Sequence, residues 1–298
     1  MFTYFLLKCP YVTLIIVVIM IRIICDSASD ITLKDAKKLN IDVVPMPIRF
    51  DDKEYLDGVN ISFDEFYDKL AVEKNLPVTS QINPFVWEEK INQYPDDEII
   101  LITLSSRLSG TYKSALTASE GKKNVRVVDS LNATAGIRVL VDRAVDLREQ
   151  GKTIDEICDV LNEEKKNICV IGVLDNLKAL KKGGRISPTV AMVGGLLGIK
   201  PIIEVKDGEV VMAGKARGSH NGFKRVKEII LDYGGIDTTK EVILAYTGNS
   251  DEMLEKYIAS AKNDVINRSF NIQRIGATIG THIGDGAIAI VFSHNVKK

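Results

Sequence analysis

The chain has 298 residues, 45% of them hydrophobic and 27% charged, with a formal net charge of −1. These values suit a globular protein of one large α/β domain or two smaller ones. The near balance of 39 basic and 40 acidic residues leaves no broad basic field for nucleic acid. The four cysteines (Cys9, Cys25, Cys158, Cys169) have no CxxC spacing, and the three histidines form no HExxH or Cys/His cluster. Reduced thiols of a cytosolic protein, and no built-in metal site, are the expectation.

The first segment, MFTYFLLKCPYVTLIIVVIMIRIICDSASD, opens on an apolar stretch interrupted by Lys8, Pro10 and Arg22. Only 13 residues lie between Lys8 and Arg22, short of the ~20 that a membrane span requires. No small-residue cleavage site marks a secretory signal. The preferred reading is a cytoplasmic α/β protein whose first strand follows Met20 directly, with residues 1–19 as an upstream extension. A membrane anchor is the main competitor.

Beyond that point strand-like and helix-like runs alternate. Ile21–Cys25 and Ile41–Val44 read as short strands. Ser62, with Glu65 three residues on, is a capping box opening a helix that carries Phe63, Phe66, Tyr67 and Leu70 on one face. A short helix over 84–93 precedes the buried strand 99–104, a hydroxyl-rich loop, a helix near 111–119 and the strand 125–128. Residues 133–150 form a strong amphipathic helix, and Thr153 with Glu156 caps the next. After strand 169–173 come a short helix over 175–182 and a hairpin turning at Asp207-Gly208. Helix 220–233, strand 242–246, helix 251–265 and strand 287–292 follow. Two α/β domains are expected: residues 20–169 with a largely parallel sheet covered by helices on both faces, and 170–298 with a mixed sheet and helices. Loops beyond parallel strand ends are the default place for a ligand.

Five stretches carry candidate chemistry, each with a plainer reading beside it. Leu104-Ser-Ser-Arg-Leu-Ser-Gly-Thr-Tyr112 lacks the GxSxG elbow of a serine hydrolase, and no GxxxxGK[ST] loop occurs anywhere. Its hydroxyls suit an anion at a helix start, or simple capping by Ser109 or Thr111. Thr79-Ser80-Gln81, between two prolines and ahead of a helix, reads equally as a turn and N-cap. Lys181-Lys-Gly-Gly-Arg185 places an arginine after a helix stop, free to pair with an anion or to lie in solvent. Gly280-Thr-His-Ile-Gly-Asp-Gly-Ala287 puts His282 in a glycine-rich loop, where a structural role competes with acid/base or donor chemistry. Asp26 follows the first strand, where it could serve a metal or a loop hydrogen-bond network; capping of the next helix from Asp30 or Thr32 is the plainer reading.

Taken in order, DSxxD, TSQ, SSxLSGTYxSA, Val128-Asp129-Ser130, LKxLKKGGRI, Lys200-Pro201-Ile202 and GxHxGxGA resemble the DegV family of fatty-acid-binding proteins, from about Met20 to Phe292. The resemblance implies two α/β domains with one long-chain fatty acid buried between them. It also implies a carrier with no chemistry of its own and no cofactor, which offers the acyl carboxylate to the catalytic subunit of a separate fatty acid kinase. Carried over residue by residue, Thr79, Ser80, Ser105, Ser106, Arg185 and His282 hold the carboxylate. Arg217 is the residue retained from a basic run that faces the kinase. The apolar stretch 190–199 lends part of the tunnel wall. Asp285 stands where the family commonly has proline, and is expected to point away from the head group.

Two alternatives remain open at this point. One is a serine-dependent hydrolase or acyltransferase pairing Ser106 or Ser105 with His282. The other is a membrane-tethered lipid carrier using residues 1–19, membrane contact not being required by the leading reading.

Overall fold

The computed structural model describes residues 5–9, 12–16, 20–186, 198–261 and 269–295. Phe5–Cys9 (β1) and Val12–Ile16 (β2) pair antiparallel in a two-stranded sheet separate from the others. The expected tunnel stretch 190–199 falls almost wholly outside the described residues.

The first sheet is all parallel, in the order β4-β3-β8-β9: Asp42–Val44, Ile21–Asp26, Glu98–Thr103 and Val125–Asp129. Ile99 to Ile102 of β8 are fully buried, as a continuous apolar run in a covered parallel sheet should be. Leu33–Leu39 (α1), Thr111–Ser119 (α4), Ala135–Glu149 (α5) and Ile154–Glu164 (α6) pack on this sheet. Pro84–Ile91 (α3) lies against α4. The starts are set locally. Thr32 accepts from Asp35 N at 3.1 Å, and the capping boxes form at Phe63–Val72 (α2) through Ser62 and at α6 through Thr153.

A three-stranded antiparallel sheet stands beside it, which sequence patterning does not reveal: Lys53–Leu56 (β6), Pro47–Phe50 (β5) and Val78–Thr79 (β7). Strands of two to four residues carry too little alternation to be seen.

The second sheet has the order β12-β11-β10-β15-β13-β14 and is mixed, with only β13 and β14 parallel. Its strands are Glu209–Arg217, Ile199–Lys206, Ile168–Val173, Ile288–Ser293, Ile243–Tyr246 and Asn271–Arg274. Side chains alternate across it. Val170, Ile243, Ala245, Ala289 and Val291 join the core of the first sheet. Ile171, Leu244, Ile290 and Phe292 face Ser219–Asp232 (α8) and Glu252–Ala261 (α9) in a core of their own. Helix α5 touches β3 and β8 on one side and β10 and β15 on the other. A Cβ on its Gly136 would come within 2.8 Å of Val170, so a glycine is what lets the second sheet close on the helix.

Two short helices complete the second half: Lys178–Gly183 (α7) and Ala277–Ile283 (α10). The stretch read as a glycine-rich loop around His282 is in its first part helical. Gly280 is required there, because a Cβ would fall 2.7 Å from the Tyr67 hydroxyl and 2.8 Å from the Phe66 ring on α2.

Candidate functional site

A cavity, largely apolar in its lining, lies where the two halves meet. Its walls are Met46, Leu104 and Leu108 from the first half and Val170, Leu174, Ile203, Val205, Ile279 and Ala289 from the second. Gly172 lies on the same sheet face as Val170; the Cβ it lacks would press on Ile203 at 3.1 Å.

One end is polar. Thr79, Ser80, Gln81, Ser109, Arg185 and His282 gather there, with Ser80 and Gln81 exposed. The polar end is therefore the mouth. Arg185 is the one formally charged cation among the described lining residues, and no carboxylate is among them.

Each side chain has a local reason for its place. Thr79 ends β7, which pairs with β5, and Ser80 N donates to the Pro47 carbonyl at 3.0 Å. Asn83, not Ser80, caps the helix that follows, its Oδ1 accepting from Phe85 N at 2.9 Å. Arg185 follows the left-handed Gly184 that stops α7. Its guanidinium donates to the Gly183 carbonyl at 2.6 Å and the Leu108 carbonyl at 3.2 Å, which fixes it beside the hydroxyl loop. His282 occupies the last turn of α10. Its ring lies against Gly183, where a Cβ would come within 2.4 Å of Nδ1.

His282 Nε2 and Thr79 Oγ1 are 2.8 Å apart, while Nδ1 is buried without a partner. Burial and the neighbouring Arg185 guanidinium push the ring down to about 4, so it is neutral at pH 7 and carries one N–H. An unpartnered lone pair at Nδ1 is cheaper than an unpartnered buried N–H. The network therefore assigns the proton to Nε2, which donates to Thr79 Oγ1. The Thr79 hydroxyl then keeps its own proton to give to whatever enters the cavity.

The hydroxyl loop divides its serines. Ser109 lines the cavity; its Oγ accepts from Thr111 N at 3.2 Å and shares a hydrogen bond with Thr111 Oγ1 at 2.9 Å. Ser105 and Ser106 do not reach the head cluster. Ser105 is fully buried and donates to the Gly208 carbonyl at 2.7 Å, fastening the tip of the β11–β12 hairpin. Ser106 is exposed, with its backbone N–H on Asp129 Oδ1 at 3.1 Å. With His282 on Thr79 and Ser105 on Gly208, the nucleophile and base that a serine enzyme would need are not brought together. Arg217 is exposed at the end of the edge strand β12 and is not among the cavity residues. The Asp285 carboxylate accepts from Gly286 N at 2.6 Å and crowds Gly248 rather than the cavity.

Two further lining hydroxyls went unread in the sequence. Thr134 Oγ1 donates to Asp30 at 2.6 Å and Thr278 Oγ1 to Asp57 at 2.5 Å. Both threonines and both carboxylates are buried. Gln81 and Ser109 lie inside the TSQ and SSxLSGTY stretches, but Thr134 and Thr278 have no local signal, since only tertiary packing brings them to the wall. Among the described residues no helix is long and apolar enough to cross a membrane, and no group of three or more His, Cys, Asp or Glu is placed to hold a metal ion.

A parallel sheet and a mixed sheet enclosing an apolar cavity with a donor-lined mouth define a two-part α/β binding protein. Residues 20–295 match the DegV family model, and the chain belongs to the DegV family. A DegV domain-containing protein of Caldanaerobacter subterraneus subsp. tengcongensis is 36% identical over 278 residues, spanning 91% of this chain and 98% of that protein. Among solved structures, a DegV lipid binding protein from Thermotoga maritima superposes with a TM-score of 0.82 at 26% identity, covering 94% of this chain and 100% of its own. A fatty-acid-binding DegV family protein from Thermus thermophilus gives 0.82 at 27% identity, covering 92% and 100%.

Proposed function

We propose that this chain holds one long-chain fatty acid in the cavity, acyl tail inward and carboxylate at the mouth. The observation that carries the reading is the Thr79–His282–Arg185 cluster at the open end of an otherwise apolar cavity. A carboxylate taken out of bulk water needs several donors. Thr79, Ser80, Ser109 and Arg185 supply hydroxyl and guanidinium protons, with no competing anion among the described lining residues. The tail is held by burial alone, at roughly 0.8 kcal/mol per methylene. The fatty-acid-binding relative of the same fold supports the assignment.

The finer reading is that the protein acts as an acyl carrier, offering the carboxylate to a separate fatty acid kinase that forms the acyl phosphate. A polar end at the surface supports it, since a phosphoryl donor must reach the carboxylate without unfolding the carrier. Arg217 is the proposed kinase-facing cation.

Native mass spectrometry of the purified protein is expected to show one retained fatty acid per chain. A chain that is empty and also fails to bind added palmitate overturns the proposal. Labelling by a fluorophosphonate probe, lost in Ser105→Ala or Ser106→Ala, would favour the hydrolase instead.

A further inference from the structure

The carboxylates of Asp30 and Asp57 are buried at the seam between the halves, and neither touches the head cluster. Among the described residues every donor that the hydrogen bonds assign to them is uncharged. Asp57 accepts from Ala277 N at 3.2 Å, Thr278 N at 3.0 Å and Thr278 Oγ1 at 2.5 Å. Asp30 accepts from Gly276 N at 2.9 Å and Thr134 Oγ1 at 2.6 Å. The backbone N–H groups of 276, 277 and 278 are those a helix cannot satisfy for itself, and here two side chains from the first half of the chain take all three.

Helix α10 has seven residues, too few to be stable alone, so its position depends on tertiary contacts: α2 and α7 pack along its length, and polar groups hold its two ends. At the first turn those are Asp30 and Asp57. At the last it is the contact of His282 with Thr79, about 6 Å further along the axis from Thr278 at 1.5 Å per residue. A hydrogen bond tolerates only a few tenths of an ångström, so a small slide or tilt of α10 breaks the second contact.

We propose that Asp57, assisted by Asp30, is a positioning residue for the head cluster: by gripping the first turn of α10 it sets the depth of the helix and so the His282–Thr79 contact. The proposal rests on the fatty-acid reading for its effect on binding, but its geometric part stands in the ligand-free protein. A merely structural role would hold the halves together without changing the surroundings of His282.

The test is Asp57→Asn, which turns one accepting oxygen into a donor facing other donors. In ligand-free protein the His282 ring resonances are followed against pH by NMR, with far-UV circular dichroism to confirm folding. Palmitate affinity is measured in parallel. The ring, now better hydrated, is expected to titrate at least one pH unit above its native value, and the palmitate Kd to rise on the order of tenfold, the scale of one lost buried hydrogen bond. If Asp57→Asn does not fold, Thr278→Val keeps the carboxylate and both backbone donors, and a smaller shift in the same direction is expected. An unchanged His282 titration in a folded variant overturns the proposal. A shifted titration with unchanged palmitate affinity supports the grip on α10 and counts against the head-group reading instead.

Discussion

His282 shows how much one side chain depends on surroundings its sequence neighbours do not display. Its ring is neutral because it is buried beside a guanidinium, and its single proton is directed by an orphaned Nδ1 on the other side. The sign of its pH effect follows. The folded value of about 4 lies below the ordinary 6.5, so the native state resists protonation. Stability from the neutral ring is complete above about pH 6.5 and is lost as pH falls from 6.5 toward 4, at roughly 1.4 kcal/mol per unit. Asp26, which burial pushes up to about 7, works the other way: its neutral form stabilises at low pH and that contribution is lost as pH rises through 7. Global acid denaturation therefore mixes opposite contributions, and NMR of the ring is the measurement that isolates His282. It is expected to stay neutral at pH 5. Thr79→Val removes the ring's partner and one head-group donor together; palmitate affinity is expected to fall about tenfold or more, as for a buried polar group left unpaired, in a calorimetric titration at pH 7.

At the scale of elements, capping boxes, long amphipathic helices and the Asp207-Gly208 hairpin were legible, because each is specified within a few residues. Helix α10 was not. Its sequence ATIGTHI is β-branched and contains Gly280, a poor helix former, and it forms because α2 packs against that glycine and two aspartates hold its first turn. Strand β7 is two residues long and exists only through its pairing with β5. The hydroxyl loop is marked by its own composition, but which serine turns toward the cavity depends on a hairpin about a hundred residues away. That hairpin tip is a close fit. Gly208 has φ +83°, and a Cβ there would meet Ser105 Oγ at 2.5 Å. Gly208→Ala is thus expected to release the tip from the Ser105 hydroxyl. Val205 and Val210, which flank it in the cavity wall, would then move, and bound fatty acid is expected to exchange several-fold faster in a stopped-flow displacement assay. Ser105→Ala, which leaves the Gly208 carbonyl without its donor, should act in the same direction at a cost of about 1–2 kcal/mol in stability.

For the whole molecule, two sheets and a ligand position beyond the parallel strand ends follow from the alternation of strand and helix, whereas a buried cavity between the halves is what the family resemblance implies. The degree to which the two halves share one interior does not follow, since alternation along β10 and β15 tells that both faces are apolar but not that one face belongs to the other half's core. The second sheet buries Val170, Ala245 and Val291 against the core of the first. Such a joint interior predicts cooperative unfolding. Trp87, the single tryptophan, is fully buried in the first half. Its fluorescence and the far-UV circular dichroism of the whole chain are expected to give the same midpoint in urea. Two separated transitions would show that the halves unfold independently.

The double hold on α10 also bears on how such proteins can be recombined. The helix is encoded in the second half, yet Asp30, Asp57 and Thr79, which fix both its ends, are encoded in the first. A chimera cut at the obvious boundary, before Ile168, would pair one parent's aspartates and threonine with another parent's helix. Parents are interchangeable there only if they agree at these three positions and at Gly276, Thr278 and His282, whatever their identity elsewhere.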